Sequence, residues 1–599
     1  MSGPADVRPN VYRDSWCGEV LPDRVGQTVR VAGWVHRRRD HGGLVFVDLR
    51  DRTGIVQVVF NPQEAPEAHS RSHDLRGEWV ISAEGEVVKR SPESINPDLP
   101  TGEVEVRVSD VDVLAQAETP AFPLEDETEV DEALRLRHRY LDLRRDEMQR
   151  HLVLRHEITR AIRESLIEAG FYEIETPILT RSTPEGARDF VVPSRMQRGS
   201  FYALPQSPQL FKQLLMIAGY ERYFQIARCF RDEDLRADRQ PEFTQLDMEM
   251  SFVTEEDVIA ATEAVLDAAY RAGGVELGPP FPRLAYDEAI ARFGTDRPDL
   301  RFGLEIENLG EALRDTEFKV FRGALEGGGV VRGLNAGQRE LSRAELDGLI
   351  EFAQGQGAGG LVWAYVEEGD EPSWRSPVAK FLSAAELEAI TTRLGASPGD
   401  LLLLVADEEG VAAQTLGALR SELARRFGLA APGEWKPVWV TDFPLVEWND
   451  DEGRWDPLHH PFTSPTEDSL GLLATDPAAA RARAYDIVIN GQEIGGGSIR
   501  INRPEVQYRA LEAVGIGKNE ADEKFGFLIE ALRSGAPPHG GIAFGLDRMV
   551  AQLAERESIR DVIAFPKTAS GADLMTGAPA PIDTRQLREL GIHTGPPGT

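Results

Sequence analysis

Cysteine is almost missing from this 599-residue chain, which carries only Cys17 and Cys229. Two thiols cannot staple a chain of this length, so a disulfide framework is excluded and a reducing environment is expected. With no Cys-x-x-Cys pair, a zinc site is not expected. Lysine is scarce too, with eight residues, so arginine carries nearly all the positive charge. Long apolar runs are absent. The longest, such as residues 401–406, falls far short of the roughly 20 residues that span a bilayer. The opening MSGPADVRPNVYRD has no apolar segment, so no secretory signal is read and a cytoplasmic location is expected. Positive charge as a whole is short: 66 Lys and Arg stand against 100 Asp and Glu, a net charge of −34. That balance argues against a nonspecific polyanion binder, because the mean field repels phosphate. It leaves room for a local basic patch. Hydrophobic residues at 41% and charged residues at 28% exclude general disorder and collagen-like repeats.

From Val25 to Val113 the segments VRVAGWVHRRRD, LVFVDLRD, GIVQVVFN, EWVISAEGEVVKR and GEVEVRVSDVDVL read as five short β-branched strands. Five strands in about ninety residues suit a small closed barrel of the OB type. Residues 118–132 form a linker with Pro120, Pro123 and seven acidic residues. From Arg135 to Ala169 the apolar spacing turns helical, through Leu152, Ile158, Ile162 and Leu166, and Gly170 stands where a C-cap would end that helix. A Gly- and Ala-rich stretch from about Phe293 to Pro432 holds no catalytic constellation and reads as an inserted domain. The tail from Lys567 is rich in Pro and Gly. The expected class is a multidomain α/β (α+β) protein. The division is barrel 1–118, hinge 119–145, main domain 146–293 and 433–566, insertion 294–432 and extension 567–599.

Three segments carry chemistry. FQIARCFRDEDLRADRQPEFTQLDMEMSF, residues 224–252, reads as an antiparallel hairpin. Period two puts Arg231 and Glu233 on one face and groups Gln245, Asp247 and Glu249 on the return strand. Unpaired charges in that number do not enter a core, so the face is a ligand site or a solvated sheet surface. In YDIVINGQEIGGGSIRIN, residues 485–502, Glu493 and Arg500 are seven apart and would face opposite ways on a regular strand. Gly495-Gly496-Gly497 is where a bulge could restore a common face. In GGIAFGLDRMVAQLAE, residues 540–555, a strand runs into Gly545 and a helix. Arg548 falls in the helix's first turn, where a cation opposes the macrodipole; such a residue often serves a ligand phosphate, although a lone instance is more often structural.

Together these segments resemble the class II aminoacyl-tRNA synthetases. FRDE (230–233) is similar to motif 2, GLDR (545–548) to motif 3, and GFYEIETPILT (170–180) with Pro177 to motif 1. STPEGARDF (182–190), QSPQLFKQLLM (206–216) and GGGSIRI (495–501) resemble the aspartyl-tRNA synthetases, and the insertion and extension resemble their bacterial type. Physics agrees, since Lys212 and Arg500 suit a carboxylate side chain, whereas a lysyl enzyme would need acid there.

The resemblance implies condensation of L-aspartate and ATP to aspartyl-adenylate, then transfer to the 3′ end of tRNA(Asp). It implies that Arg231 bridges the aspartate carboxylate and the α-phosphate. Asp232, Glu233 and Gln240 hold ATP, Arg548 grips the γ-phosphate, and Gly545, Leu546 and Asp547 line the nucleotide site. Asp486 and Glu493 match the family's Mg²⁺ carboxylates, with Glu493 also at ATP. Lys212 and Arg500 hold the side-chain carboxylate. Gln209, Asp247 and His459 complete the pocket, with Asp247 available to the ammonium and Glu185 in a closing lid. Without the family match, His459 could be a turn residue that only packs, the lesser of its two readings. Motif 1 implies a homodimer. In the barrel, Arg37, Arg39, Phe46 and Gln57 match anticodon-binding positions, with Phe46 as a stacking platform; taken alone it could be a core residue. His41 resembles the non-discriminating enzymes, which also charge tRNA(Asn), whereas strictly specific relatives carry Leu. Glu93 lies near a second diagnostic position, which holds neither the Lys nor the Gly of the two types. The rivals are a strictly tRNA(Asp)-specific enzyme, an asparaginyl enzyme, which would lose one pocket cation, and a synthetase-like binding paralogue, which would lose a motif or the barrel.

Overall fold

The structure is a computed structural model that describes residues 9–126, 128–183, 186–369 and 372–593. Two compact units divide it, one of residues up to 150 with 573–577, the other of 151–572 with the tail from 578.

In the first unit, β1 (Thr28–His41), β2 (Leu44–Asp51), β3 (Gly54–Phe60), β4 (Val80–Lys89) and β5 (Val104–Ala115) close a barrel in the order β1-β2-β3-β5-β4. Alternation fills it with Val29, Val31, Val45, Val47, Leu49, Val56, Val58 and Phe60. Phe46 has the opposite parity to Val45 and Val47 and pairs across the ladder with Arg39. It stands on the outer face, not in the core.

The acidic linker is anchored by buried Phe122 and Leu124. The continuous helix expected from Arg135 is interrupted. Short helices Glu132–Arg137 and Arg139–Asp142 precede α1 (Asp146–Glu168). The cause is Asp142, fully buried, which gathers Arg135, Arg139 and Arg145 around one carboxylate. Three arginines converge there only if the chain folds back. Gly170 does end the long helix, at φ +81°. His69 and His73, four apart, have the spacing of a helical metal pair, but their rings meet edge to face at 4.7 Å. Among the described residues no group of three His, Cys, Asp or Glu could hold a metal ion.

The second unit is built on an eight-stranded sheet. Its strands are β6 (Tyr172–Glu173), β7 (Arg222–Phe230), β8 (Glu242–Ser251), β9 (Arg283–Ala285), β10 (Pro437–Thr441), β11 (Ala484–Ile489), β12 (Gln492–Ile499) and β13 (His539–Gly545). Their order is β9-β10-β11-β12-β13-β8-β7-β6. Only the outer pairs β6–β7 and β9–β10 are parallel. One face packs on α1 through Ile158, Ile162 and Leu166 and on α3 (Glu255–Ala272) through Val258, Ile259 and Leu266. The other face carries α2 (Gln209–Ile217), whose Lys212 reaches the charged face of β8.

Between β9 and β10 lies a separate five-stranded sheet with its own helices. Its central strand Asp400–Asp407 is buried on both faces, Leu401 and Leu403 into one core and Leu402 and Leu404 into another. That burial explains the longest apolar run. Among the described residues, no helix is long and apolar enough to cross a membrane.

Candidate functional site

The hairpin β7–β8 is antiparallel, with Gln245 opposite Ala227 and Asp247 opposite Gln225. Asp247, Glu249 and their partners Lys212 and Arg500 are all at most 3% exposed. The face is therefore neither solvated nor left unpaired. Lys212 Nζ lies 2.6 Å from Asp247 Oδ1 and 3.2 Å from Glu249 Oε2. Arg500 Nε and Nη2 reach the two oxygens of Glu249 at 2.9 and 3.1 Å. Two cations and two carboxylates close a neutral quartet, which makes burial tolerable.

The glycine run does what its spacing suggested. The ladder between β11 and β12 slips by one residue, Ile487 facing Gly495 while Val488 faces Glu493. Ile494 is the extra residue. The bulge keeps Glu493 on the face shared by Asp486, Gly496 and Ser498, in line with Arg500. The glycines are demanded by space. A Cβ on Gly496 would lie 2.6 Å from Asp486 Oδ1, and one on Gly541 of β13 would lie 2.1 Å from Glu249 Oε2.

Lys212, Asp247, Asp486, Glu493 and Arg500 line one cavity of about 480 Å³, together with Gln209, Arg231, Glu233, Gln240, His459, Gly545, Asp547 and Arg548. Its buried polar atoms are not all satisfied: Asp247 Oδ2, Gln209 Nε2, Arg231 Nε and His459 Nδ1 have no hydrogen-bond partner. A buried donor or acceptor left open costs about 1–3 kcal/mol. Several converging on one cavity mark a ligand site. The open acceptor on Asp247 suits an ammonium, and the open donors suit carboxylate or phosphate oxygens.

Burial pushes the Asp247 carboxyl up, against the pull of Lys212. Burial acts the same way on Glu249, but Arg500 and Lys212 outweigh it and hold that group below its ordinary value. Glu493 is raised by burial and then by the charge of Asp486. His459 Nε2 lies 3.1 Å from Asp486 Oδ1, and this carboxylate overcomes burial to raise the imidazole. His459 thus does more than pack in a turn, although its ring also meets Phe443 edge to face at 4.6 Å. His460 is held neutral by burial and by Arg500 beside it. Asp486 and Glu493 can hold a hard cation as a pair. With no third protein ligand among the described residues, the remaining ligands would be substrate oxygens and water, as magnesium commonly takes them.

Several expected residues sit differently. Gln240 lines the cavity, but its amide is spent on the backbone of Lys567, accepting at 2.8 Å and donating at 3.1 Å. Asp547 accepts from the Thr244 N–H at 2.8 Å and pairs with Arg155, locking α4 (Leu546–Leu553) to β8 and α1. Leu546 is in the core, and exposed Asp232 does not line the cavity. Arg548 donates to the Glu493 carbonyl at 2.6 Å and lines the cavity. Glu233 is held by Arg239 at 3.3 Å. Glu185 lies outside the described residues. Glu249 and His460 join the site without having been given a role in it. Period two from Asp247 marked the first, and the His459-His460 doublet the second.

On the barrel, Arg37, Arg39, Phe46 and Gln57 share the outer face of β1–β3. Arg39 pairs with Asp48 at 2.8 Å and reaches Gln57, which in turn donates to Glu105 at 2.8 Å. His41 is exposed at the end of β1.

Residues 131–569 match the family model of class II tRNA synthetases (D, K and N), and residues 29–114 match the OB-fold nucleic acid binding domain. The chain is 55% identical to the aspartate–tRNA(Asp/Asn) ligase of Caldanaerobacter subterraneus subsp. tengcongensis, over 97% of this chain and 98% of the relative. It is 55% identical to that of Symbiobacterium thermophilum, over 97% and 99%. Among solved structures it resembles asparaginyl-tRNA synthetase from Pyrococcus horikoshii complexed with asparaginyl-adenylate, with a TM-score of 0.57 and 21% identity over 92% of this chain and 98% of that one. That likeness concerns the fold alone.

Proposed function

The chain belongs to the class II tRNA synthetases of the D, K and N group, and from that premise we propose how its site works. It is an aspartate–tRNA ligase that joins L-aspartate to tRNA at the expense of ATP. The observation that carries the side-chain assignment is the buried quartet of Lys212, Asp247, Glu249 and Arg500, with Asp247 Oδ2 left open beside the cavity that Lys212 and Arg500 also line. Asp247 Oδ2 takes the substrate ammonium. Lys212 and Arg500, oriented by Glu249, take the side-chain carboxylate. Arg231 Nε donates to the reacting carboxylate and the α-phosphate, where negative charge grows in the transition state. Arg548 meets the terminal phosphate. No covalent enzyme step is needed, because positioning and fixed charge lower the barrier. Members of this class use ATP with a divalent metal. Here Mg²⁺ is the reading, held by Asp486 and Glu493, and it would offset polyphosphate charge.

The partners are tRNA(Asp) and, on the strength of His41 and the Asp/Asn relatives, tRNA(Asn). The outer barrel face is the anticodon reader. Exposed Tyr172, Ile178 and Leu179 around motif 1 support a homodimer, and the location is cytoplasmic. The domain limits of the sequence reading stand as part of this proposal. An asparaginyl enzyme is disfavoured because both pocket cations are present. Aspartate-dependent ATP–pyrophosphate exchange tests the enzyme, and its absence from folded protein would refute it. Charging of separate tRNA(Asp) and tRNA(Asn) transcripts tests specificity. Comparable rates support dual use, and negligible tRNA(Asn) charging leaves the strictly specific alternative.

A further inference from the structure

The segment between β9 and β10 reaches the cavity through one short loop. Its first helix, Tyr286–Phe293, ends at Gly294, and the chain then runs to the strand Ile306–Asn308 of the five-stranded sheet. Asp296 and Arg297, early in this loop, line the same cavity as Glu493 and Arg548. Farther along, Asp299 packs on the turn that joins β11 to β12: a Cβ on Gly491 would lie 3.1 Å from the Asp299 Cβ. Those two strands carry Asp486 and Glu493. Glu493 feels the loop as well. Burial and Asp486 raise its carboxyl most, and Arg548 and then Arg297 are the cations that oppose them. The Arg297 side chain is little engaged. Among the described residues its one ion pair is to its neighbour Asp296, at 3.4 Å, and it is 56% exposed.

The loop is held from the far end of the same segment. Arg420 lies on the helix Glu409–Phe427, which packs on the five-stranded sheet, and is buried. Its Nη2 donates to the carbonyls of Asp299 at 2.6 Å and Phe302 at 2.8 Å, and its Nε to that of Gly303 at 3.0 Å. Its guanidinium also lies over the rings of Phe293 and Phe302, 4.9 and 4.2 Å from their centroids. Each acceptor is a backbone carbonyl. The Asp299 carboxylate is turned instead to Arg301, at 2.6 Å. Burial pulls the Arg420 guanidinium down to about 10. A buried cation held by carbonyls is costly, so it does something that apolar packing could not. One rigid fork on three carbonyls fixes the path of a backbone. Nearly one helical turn earlier, Gly417 lets the helix close on the loop. A Cβ there would lie 2.8 Å from the carbonyl oxygens of Phe293 and Gly294. The helix thus grips the chain on both sides of Asp296 and Arg297.

Resting on the functional reading above, we propose that Arg297 is a second guanidinium for the ATP polyphosphate, and that Arg420 is the positioning residue that holds Arg297 at the cavity. The chemistry fits that ligand. A guanidinium fork meets phosphate oxygens bidentately. Negative charge grows on the pyrophosphate as its bond to the α-phosphate breaks, and a fixed cation there favours the change. Arg297 and Arg548 both act on Glu493, so a polyanion bound beside it meets the two together. The competing role for Arg297 is a solvated loop residue that only balances Asp296. That role does not explain why a buried arginine and a close helix contact are spent behind an exposed loop. The segment between β9 and β10 thereby takes part in the reaction through a loop, with Arg420 itself touching no substrate.

The test uses the full-length chain in aspartate-dependent ATP–pyrophosphate exchange, with Arg297→Ala, Arg420→Lys and the two combined. Arg297→Ala should raise KM for ATP and for pyrophosphate about tenfold, the loss of one charge-assisted contact, with aspartate KM changed less than about twofold. Arg420→Lys keeps the charge but loses the fork, and should raise the same two constants and spare aspartate. If Arg420 acts through Arg297, the combined variant should be no worse than Arg297→Ala alone. Unchanged ATP and pyrophosphate constants in Arg297→Ala overturn the phosphate contact and leave the enzyme reading intact. An equal rise for aspartate overturns it too, as a general disturbance of the cavity. Additive losses in the combined variant overturn the positioning role of Arg420. Arg297→Ala, an exposed change, decides the contact even if Arg420→Lys fails to fold. Absence of exchange in the unmodified chain would refute the enzyme reading and this inference together.

Discussion

His460, half-buried against Arg500, and His539, fully buried, are held neutral, desolvation being the larger cause for each and Arg500 adding to it. Both take up a proton more readily when unfolded. The unfolded state then binds more protons below the ordinary imidazole range, so stability falls as pH drops through that range. Each histidine contributes a slope of about 1.4 kcal/mol per pH unit there. His539→Gln should flatten the dependence by about that much, as urea unfolding between pH 7 and pH 5 would register. Glu249 acts in the opposite sense to an ordinary buried acid, because its folded value is depressed by Arg500 and Lys212. Its contribution is present above the usual carboxylate range and is lost as pH falls through the folded value. Glu249→Gln leaves two buried cations short of a counter-charge and should cost about 3 kcal/mol, read from the urea midpoint. Aspartate KM should rise with it, since Arg500 loses its bidentate anchor; an unchanged KM would remove Glu249 from orienting the pocket. The family resemblance could place Lys212 and Arg500 near a carboxylate ligand. It could not reveal that a protein carboxylate already occupies them, because Glu249 meets Arg500 across 251 residues of chain.

Among the elements, the bulge in β12 was legible. An odd spacing across three glycines left few other ways to align Glu493 with Arg500. What spacing could not give was the reason for each glycine, which lies on neighbouring strands. Gly496→Ala would drive a methyl against Asp486 Oδ1 while leaving Lys212 and Asp247 in place. The expected result is an ATP and magnesium requirement raised at least tenfold (about 1.4 kcal/mol) in the exchange reaction, with aspartate KM changed less. Equal changes in both would show a general collapse of the strand instead. Motif 3 was legible as strand, glycine and helix, but the roles of its middle residues were not. Leu546 turns into the core because a helix that starts at the cavity wall turns successive side chains through 100°, and Asp547, though it borders the cavity, is held by Thr244 and Arg155. The long helix from Arg135 failed for a related reason: periodicity sees apolar faces, whereas Asp142 and its three arginines decide where the chain breaks.

For the molecule as a whole, the acidic balance first spoke against a nucleic-acid partner. The structure divides that average into places. Arg37, Arg39 and Phe46 gather on one outer barrel face, while Lys212, Arg231, Arg500 and Arg548 line the cavity. A synthetase of this charge should gain little from nonspecific attraction and rely on such contacts. Phe46→Ala should lower charging by about 1–3 kcal/mol of stacking, tenfold or more in kcat/KM for tRNA. Aspartate-dependent exchange should be untouched, since Phe46 and the cavity residues belong to different compact units. A parallel loss of exchange would contradict that separation.

The neutral quartet has one more consequence, for the small molecules that compete with the substrate. Because Lys212 and Arg500 are already matched by Asp247 and Glu249, the pocket offers no surplus of positive charge to a passing dianion. Succinate could satisfy the two cations, but it would leave Asp247 Oδ2 buried against a methylene. In the proposed binding mode aspartate would bring its own ammonium to that oxygen. Bound that way, the site would act as a filter for zwitterions, admitting an acid only when it arrives with its own base.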